Sequence, residues 1–317
     1  MTPVCSCTPL TRVVRLLSWL IFVVVSLTGF SQNTQKELVK SGILKAKLGD
    51  YAASLTDLNR AITLDSSSIE PWYNRGNVWS ALGNYPKAID DYSMAILLVP
   101  NYPEPWYNRG VARDFMNDYQ GAVNDYAKAI LLKPDYPEAY HNRGLAYFDL
   151  KLYQEALEDF TRAIQYSPGF AEAWYNRGLA RFEMGAFADA TRDFTEAITL
   201  DPQPSEYFVS RGAAKASMGL YEEAIMDLNE AIYLKPNDLN PYLNKALAFL
   251  YLKQYKQAEE AYSRVLEMNS SLVEAYVNRG VARQYLADID GACMDWNAAL
   301  SLGSERASTY IKKYCQP

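Results

Sequence analysis

Trp72-Tyr73-Asn74-Arg75-Gly76 is the stretch that decides the fold, because it returns at a constant step along the chain. Close copies begin at Trp106, Tyr140 and Trp174, so that each copy starts 34 residues after the one before. The same step reaches degenerate copies that begin at Leu38, Phe208, Tyr242 and Tyr276. A fixed period of about 20 to 50 residues is typical of a solenoid, in which each unit buries its apolar face against its neighbours.

Two columns of small residues repeat in register with this stretch. The first column comprises Gly42, Gly76, Gly110, Gly144, Gly178, Gly212, Ala246 and Gly280. The second column, twelve residues later, comprises Ser54, Ala88, Ala122, Ala156, Ala190, Ala224, Ala258 and Ala292. Small side chains on two facing helices let their backbones approach closely. Five of the units end at Pro100, Pro134, Pro168, Pro202 and Pro236, where Pro stops a helix.

This pattern resembles the tetratricopeptide repeat family. The resemblance covers about residues 35–306 and implies an all-α fold, a right-handed α-solenoid superhelix of eight helix-turn-helix repeats with a C-terminal capping helix. The repeats are predicted at residues 35–68, 69–102, 103–136, 137–170, 171–204, 205–238, 239–272 and 273–306, and the capping helix at 304–315. Repeat seven departs most from the pattern, and any soft joint of the array is expected there.

Residues 1–31 differ in kind from the repeats. Arg12 and Arg15 precede an apolar run from Leu16 to Leu27, and Gly29 and Ser31 are small residues at the sites that a signal peptidase inspects. This arrangement predicts a secretory signal peptide and a periplasmic or secreted protein. The alternative is an uncleaved membrane anchor, although a run of roughly 12 to 15 residues is short of the ~20 that span a bilayer.

Cys293 and Cys315 are the cysteines left once the predicted signal is removed. In an oxidising compartment they are candidates for a disulfide that would pin the terminal helix to the last repeat. The alternative is a buried free cysteine beside an exposed one. The segment around them also resembles the closing repeat of secreted bacterial tetratricopeptide proteins with Asn-Arg-Gly repeats, which favours the bridge.

The charge balance and the motifs argue against several functional classes. The chain has 31 Lys and Arg against 37 Asp and Glu, a net charge of -6, and phosphate binding needs clustered basic residues, so we expect no nucleic-acid partner. No metal-ligand spacing, phosphate-binding loop or catalytic set is found. We therefore expect a non-enzymatic protein without cofactor, metal or small-molecule substrate.

A column of Arg stands where the family usually has a buried Leu, and an Asp column matches it. Burying a guanidinium is costly unless it is paired. Pairing each Asp with the Arg of the next repeat leaves fewer misfits than pairing within a repeat, so we predict an inter-repeat ladder. Its members are Asp57 with Arg75, Asp91 with Arg109, Asp125 with Arg143, Asp159 with Arg177, and Asp193 with Arg211.

An Asn column marks the predicted first helices, at Asn74, Asn108, Asn142, Asn176, Asn244 and Asn278. Its neighbours include Tyr73, Tyr107, His141 and Tyr175. The resemblance implies that first helices line a concave groove, where carboxamides can bind an extended peptide backbone. Alternatively, Asn only bridges neighbouring helices. First-turn Glu residues suit the helix dipole and leave an acidic rim that favours neutral or basic partners.

Two functions remain from these patterns. The first is an exported scaffold that binds an extended peptide or a partner protein in the groove through the Asn column. The alternative is a subunit of a cell-envelope assembly that uses its convex or end surfaces, with the groove incidental.

Overall fold

A computed structural model describes residues 33–315, and within them the chain forms seventeen α-helices and no strand. The predicted signal segment, residues 1–31, lies outside the described residues. The all-α prediction is confirmed. Consecutive helices form antiparallel hairpins, and the hairpins pack into two compact units, which divide between Ala146 and Tyr147.

The first unit contains the helices of the first repeats. They are α1 (33–47), α2 (Tyr51–Leu64), α3 (Ile69–Ala81), α4 (Tyr85–Leu98), α5 (Pro103–Asp114), α6 (Tyr119–Leu132) and α7 (Pro137–Asp149), which runs across the division. Each helix from α2 to α5 packs against the next one along the chain, and the first helices α3 and α5 also contact each other.

The second unit repeats this arrangement. It contains α8 (Tyr153–Tyr166), α9 (Ala171–Glu183), α10 (Phe187–Leu200), α11 (Ser205–Ser217), α12 (Tyr221–Leu234), α13 (Leu239–Tyr251), α14 (Tyr255–Met268), α15 (Val273–Tyr285), α16 (Ile289–Ser301) and α17 (Glu305–Tyr314). The first helices α9, α11, α13 and α15 contact one another in sequence, and this is the stacking of a tetratricopeptide solenoid.

The turn inside each hairpin passes through a residue with a left-handed backbone. Four turns use Gly49, Gly83, Gly185 and Gly219, which adopt this conformation without steric cost. The others use Asn117, Lys151, Lys253 and Ala287, with φ between 58° and 65°. The turn therefore keeps one geometry even where a side chain makes it costly.

The core of each hairpin is a large side chain of the second helix packed beneath the small residue of the first. A methyl group added at Gly76 would lie 2.7 Å from Cε1 of Tyr92, and one added at Gly178 would lie 2.6 Å from Cε1 of Phe194. The column fills with Leu58, Tyr92, Tyr126, Phe160, Phe194, Leu228, Tyr262 and Trp296, all buried. These first-helix positions require glycine because the rings beneath them occupy the space that a side chain would need.

Helix α17 caps the last repeat. Tyr310 stacks on the buried Trp296 with ring centroids 4.9 Å apart, and Tyr314 lies 5.7 Å from the same ring. A disulfide joins Cys293 of α16 to Cys315, with Cα atoms 5.8 Å apart. The two cysteines singled out in the sequence are therefore paired, and the pair holds the capping helix on its hairpin.

Candidate functional site

The Arg and Asp columns pair within a repeat, so the prediction of pairs between successive repeats is wrong. Arg75 donates from Nε and Nη2 to both carboxylate oxygens of Asp91 at 2.8 and 2.6 Å, and Arg109 does the same to Asp125. The same fork joins Arg177 to Asp193, Arg211 to Asp227 and Arg279 to Asp295. Each pair is 16 residues apart, because the two helices of one hairpin face each other at that spacing.

The link to the preceding repeat comes instead from the third nitrogen of the guanidinium. Nη1 of Arg75 donates to Asn59 at 2.6 Å, and Nη1 of Arg109 donates to the Ser93 hydroxyl at 2.9 Å. Thr161, Thr195 and Ser263 accept the same bond in the second unit. Each guanidinium also lies over an aromatic ring one turn earlier, for example 4.9 Å from the centroid of Trp72. The guanidinium groups of the Arg column therefore bond to neutral polar acceptors of the preceding repeat, while Arg283 forms an ion pair with Glu259 of the preceding repeat at 3.1 Å.

A second basic column, one helical turn after the Arg column, escaped the sequence analysis. Lys45 contacts Asp57 at 2.6 Å, while Ser41 donates to the same carboxylate. Desolvation opposes ionisation of Asp57, but these two hydrogen bonds outweigh it and lower its pKa. The equivalent cations in other repeats are Arg113, Arg181, Lys215 and Arg283, each within 3.0 Å of its Asp. Repeat one therefore has an ion pair at this place even though it lacks the Arg of the other repeats.

Repeat seven holds a cation without an acid. Lys245 stands in the Arg column, Ala261 stands in the Asp column, and Phe249 replaces the second cation. The Lys245 ammonium lies 5.9 Å from the Phe249 ring centroid, and desolvation lowers its pKa. The local core is correspondingly apolar, around Tyr262, Val265 and Leu266.

The Asn column lies half-buried on the surface formed by successive first helices, which we call the first-helix face. The amide of Asn108 donates to the hydroxyl of Tyr73 at 3.1 Å and to Asn77 at 3.0 Å, and the amide of Asn142 donates to the hydroxyl of Tyr107 at 2.9 Å. These donors therefore bridge first helices of successive repeats. Asn74 instead donates to the carbonyl of Glu70 in its own helix. Asn176, Asn244 and Asn278 are half-buried at the equivalent positions.

The tyrosines beside the Asn column are packing residues as well as hydrogen-bond partners. Tyr73 contacts the rings of Tyr92 and Tyr102, with centroids 6.1 and 5.7 Å away. Tyr107 and Tyr175 have equivalent contacts, and Tyr175 bonds to the hydroxyl of Ser210 at 3.2 Å. Burial raises the pKa of Tyr73, Tyr107 and Tyr175, so these phenols stay protonated at neutral pH. His141, in the same column, is buried with 8% exposure, and its Nδ1 lies 3.3 Å from the Asn142 oxygen.

Clefts open on this face between successive first helices. The Leu58 cleft, of about 310 Å³, lies in the first unit and is lined by Ile43, Ala46, Ser54, Leu58, Asn74 and Val78, among others. The Leu228 cleft, of about 420 Å³, lies in the second unit and is lined at equivalent positions by Ala213, Ala216, Leu228, Asn244, Leu247 and Ala248, among others. Their walls mix apolar and polar side chains, and one carboxamide of the Asn column stands at each. The other lining residues are Lys47, Tyr51, Asn77 and Ala81 in the first cleft, and Gly212, Ser217, Tyr221 and Tyr251 in the second.

The part of the chain that the structure describes shows neither a candidate metal site nor a candidate membrane span. Between residues 33 and 315, no cluster of His, Cys, Asp and Glu side chains could hold a metal ion. Over the same residues, no helix combines the length and apolar content needed to cross a membrane.

The helical hairpins, their stacking within each unit and the polar first-helix face define a repeat protein of the binding-scaffold class. Sequence models described as TPR repeat match residues 44–83 and 116–151, and models described as tetratricopeptide repeat match residues 69–102, 137–170, 171–204, 205–238 and 239–272. The chain belongs to the tetratricopeptide repeat family.

Solved structures show the same fold. MamA is 25% identical, over 52% of this chain and 97% of that protein, with a TM-score of 0.50. YrrB, described as a TPR protein with an unusual peptide-binding site, is 21% identical over 59% and 97%, with a TM-score of 0.54. The C-terminal part of a TPR repeat-containing protein from Cytophaga hutchinsonii is 18% identical over 75% and 98%, with a TM-score of 0.65. A comparison with curated proteins gives no significant match.

Proposed function

We propose that the chain is a non-enzymatic scaffold that binds an extended peptide, or an extended segment of a partner protein, on its first-helix face. The observation that carries this proposal is the fixed orientation of the Asn carboxamides. Asn108 and Asn142 are held by tyrosine hydroxyls of the preceding repeat, at 3.1 and 2.9 Å. A side chain fixed before binding loses less conformational entropy when a ligand contacts it.

The fixed carboxamides offer acceptors rather than donors. The amide hydrogens of Asn108 are directed at Tyr73 and Asn77, whereas a carboxamide oxygen can accept two hydrogen bonds. Backbone N–H groups of an extended chain are the complementary donors. Because every peptide unit carries the same N–H, this recognition would not depend on the ligand sequence.

The partner segment is proposed to be neutral or basic. Glu70, Glu104, Glu138, Glu172, Glu206 and Glu274 lie in the first turns of first helices. Glu104 and Glu138 help raise the pKa of Tyr136 after burial, so their carboxylates lie near the tyrosines of this face. A negative rim attracts basic segments and repels acidic ones.

Direct binding with a matched control tests the proposal. Peptides would be selected from a random library displayed on phage, and their affinity measured by fluorescence anisotropy. Asn74→Ala combined with Asn244→Ala removes two carboxamides that line the clefts, and the Asn74 amide donates to Glu70 within its own helix. Asn229→Ala, an exposed residue of α12, is the control. We expect about a tenfold loss for the double variant alone; equal affinity in all three proteins contradicts the proposal.

A second candidate is a structural subunit of a cell-envelope assembly. The observation that favours it is a set of exposed apolar side chains on second helices, which the peptide proposal leaves unused. They include Leu97 (71%), Leu131 (69%), Met226 (68%) and Tyr233 (81%). Crosslinking in the native envelope separates the candidates, because assembly contacts through these residues would survive Asn74→Ala with Asn244→Ala.

Export is part of both candidates. It is supported by the disulfide between Cys293 and Cys315, since such bonds persist in oxidising compartments. The predicted signal peptide would be removed after Ser31. N-terminal sequencing of the protein from its native host tests this point, because an intact N-terminus identifies the alternative membrane anchor.

A further inference from the structure

The Asp column is interrupted once, in repeat seven, where Ala261 takes the place of the acid. The seven aspartates of the column are all buried, with exposed fractions between 1% and 7%. Ala261 is only half-buried, although its side chain is the smallest of the column. Solvent therefore reaches the place that a carboxylate fills in the other repeats.

The cation that belongs to this place stands 16 residues earlier and has no acid. Lys245 is half-buried, its ammonium lies 5.9 Å from the centroid of the Phe249 ring, and desolvation lowers its pKa. No ion pair joins Lys245 to an acid in the described part of the chain. In repeat six, by contrast, Arg211 contacts Asp227 at 2.6 Å. A cation removed from water without its counter-ion costs free energy, so an anion that arrives from outside is stabilised there.

The same side of the hairpin is an open cleft in repeat two. The cleft has a volume of about 330 Å³, and its lining includes Trp72, Arg75, Trp79, Asp91 and Met94. Its lining belongs to the two helices of one hairpin, so this surface is separate from the clefts of the first-helix face. The equivalent residues of repeat seven are Tyr242, Lys245, Phe249, Ala261 and Arg264. The Tyr, the Phe and the Ala are smaller than their counterparts and Arg264 is exposed, so these side chains do not fill the space beside Lys245.

Arg264 places a second cation at the edge of this surface. Its side chain is 57% exposed and pairs with Glu267 at 2.8 Å. This carboxylate raises the pKa of Arg264, and Tyr242, one turn before Lys245, contributes to the same shift. The exposed Glu260 lies on the same edge, at the position equivalent to a lining residue in repeat two. Because an exposed ion pair contributes little to stability, the Arg264 guanidinium can exchange its partner for another anion.

We propose that this side of repeat seven, which we call the Lys245 surface, binds a carboxylate of a protein partner. The carboxylate takes the place of the missing Asp and pairs with Lys245, while Arg264 supplies a second contact from the edge. A carboxylate is the expected anion because the corresponding space holds one in seven other repeats. An acidic side chain and a C-terminus of the partner present the same group. The inference goes beyond the proposed peptide binding, which uses the first-helix face and favours neutral or basic segments.

Small probes test the site in the full chain. The α-amide of N-acetyl-L-aspartic acid carries a side-chain carboxylate, N-acetylglycine carries a terminal one, and N-acetyl-L-asparaginamide is the neutral control. Each probe is titrated at constant ionic strength while the ε-methylene signals of labelled lysines and the methyl signals of labelled alanines are followed by NMR. The Lys245 signal is assigned by its loss in Lys245→Met.

We expect both carboxylates to shift the signals of Lys245 and Ala261, with Kd on the order of 10–100 mM for a single pairing. The neutral amide should bind about tenfold more weakly or worse. The tighter of the two carboxylates identifies the source, an acidic side chain or a C-terminus. Equal shifts with the neutral amide, or tighter binding of inorganic phosphate than of either carboxylate, overturn the proposal.

Supplying the acid from within the chain gives the sharpest variant. Ala261→Asp places a carboxylate at the spacing of the other pairs and should weaken binding of both carboxylate probes about tenfold or more. Lys215, whose ammonium lies 3.0 Å from Asp227, is the control in the same spectra and should show no shift in any titration. Retained binding in Ala261→Asp overturns the proposal.

Removing each cation separates their roles. Lys245→Met, followed through the Ala261 methyl signal, should lose the shift, and this variant serves where circular dichroism shows that Ala261→Asp does not fold. Arg264→Gln changes an exposed side chain and should weaken binding about two- to threefold. A shift that persists in Lys245→Met overturns the proposal, and unchanged binding in Arg264→Gln overturns the second contact.

Discussion

Repeats six and seven, neighbours in the second unit, fold into equivalent hairpins with different interiors. Repeat six pairs Arg211 and Lys215 with Asp227, whereas repeat seven holds Lys245 with no acid at the equivalent position. The turn of repeat six uses a glycine, and that of repeat seven uses Lys253 at φ 58°. The backbone outcome is nonetheless the same, with thirteen-residue and fourteen-residue helices in each.

The two repeats show that the residues that hold the helices of a hairpin together differ from those that fix the alignment of the helices. Helix pairing survives in repeat seven because Tyr262, Val265 and Leu266 supply an apolar core. A buried ion pair adds little net stability over apolar residues, but a buried ion without its partner is costly. The acid at Asp227 is therefore required because Arg211 is there, and the guanidinium fork fixes how the two helices align.

The largest effect should come from making repeat six resemble repeat seven. Asp227→Ala leaves the Arg211 fork without its acid, and we expect a loss of about 3–5 kcal/mol in unfolding free energy. Hydrogen exchange of α11 and α12 measures it locally, because repeat arrays need not unfold in two states. Adding Arg211→Leu and Lys215→Leu together should restore most of the loss, because both cations of Asp227 are then removed. A cost below about 1 kcal/mol for the single variant would contradict the account.

The reverse change should strengthen repeat seven. Ala261→Asp supplies an acid 16 residues after Lys245, the spacing of the other pairs, and should stabilise α13 and α14 by about 1 kcal/mol. Ala261→Asn is the control, since it has the same shape without the charge. Equal hydrogen exchange in the two variants would mean that Lys245 does not reach the new side chain.

Substitutions in the turns should change the free energy of unfolding by a smaller amount. Lys253→Gly removes a side chain from a left-handed backbone, and the lower strain outweighs the greater entropy loss of glycine by about 0.5–1 kcal/mol. Gly219→Lys in repeat six should lose a similar amount. Urea denaturation of both variants measures the pair of changes, and effects of the same sign would refute the comparison.

The smallest effect concerns pH. Burial lowers the pKa of Lys245 in the folded protein below 10.5, so the unfolded chain binds more protons just below that pH. The desolvation cost of Lys245 is therefore fully present below the folded pKa and is relieved as pH rises from there toward 10.5. The stability difference between wild type and Lys245→Met, measured by urea denaturation across this window, should move in favour of wild type as pH increases. A stability difference that does not change with pH would mean that the Lys245 ammonium is exposed to water in the folded protein.

Much of the fold follows from periodicity, because the same contacts recur in each repeat. The small-residue columns predicted close helix packing, and the structure shows rings beneath Gly76 and Gly178. The partners of the ion pairs, in contrast, did not follow from the periodicity. Counting misfits column by column ignored Lys45, one turn after the Arg column, which supplies a cation to Asp57 within repeat one. Charge balance is a property of the whole helix face.

The site was only partly predictable. The Asn column was found, but one sequence column does not reveal where its hydrogen bonds go. Asn108 follows Tyr73 by 35 residues, and both columns were already recognised, so the bridge could have been inferred from their spacing. The clefts required the structure, because nothing in the sequence distinguishes Leu58 and Leu228 from ordinary core residues.

The bond between Cys293 and Cys315 also governs how the second unit can come apart. Terminal helices of repeat arrays ordinarily fray first, since they have a neighbour on one side only. Here the last helix is tied covalently to α16 and its rings cover Trp296. In the oxidised protein the last helix can therefore leave only together with α16, whereas reduction of one bond would let it fray by itself.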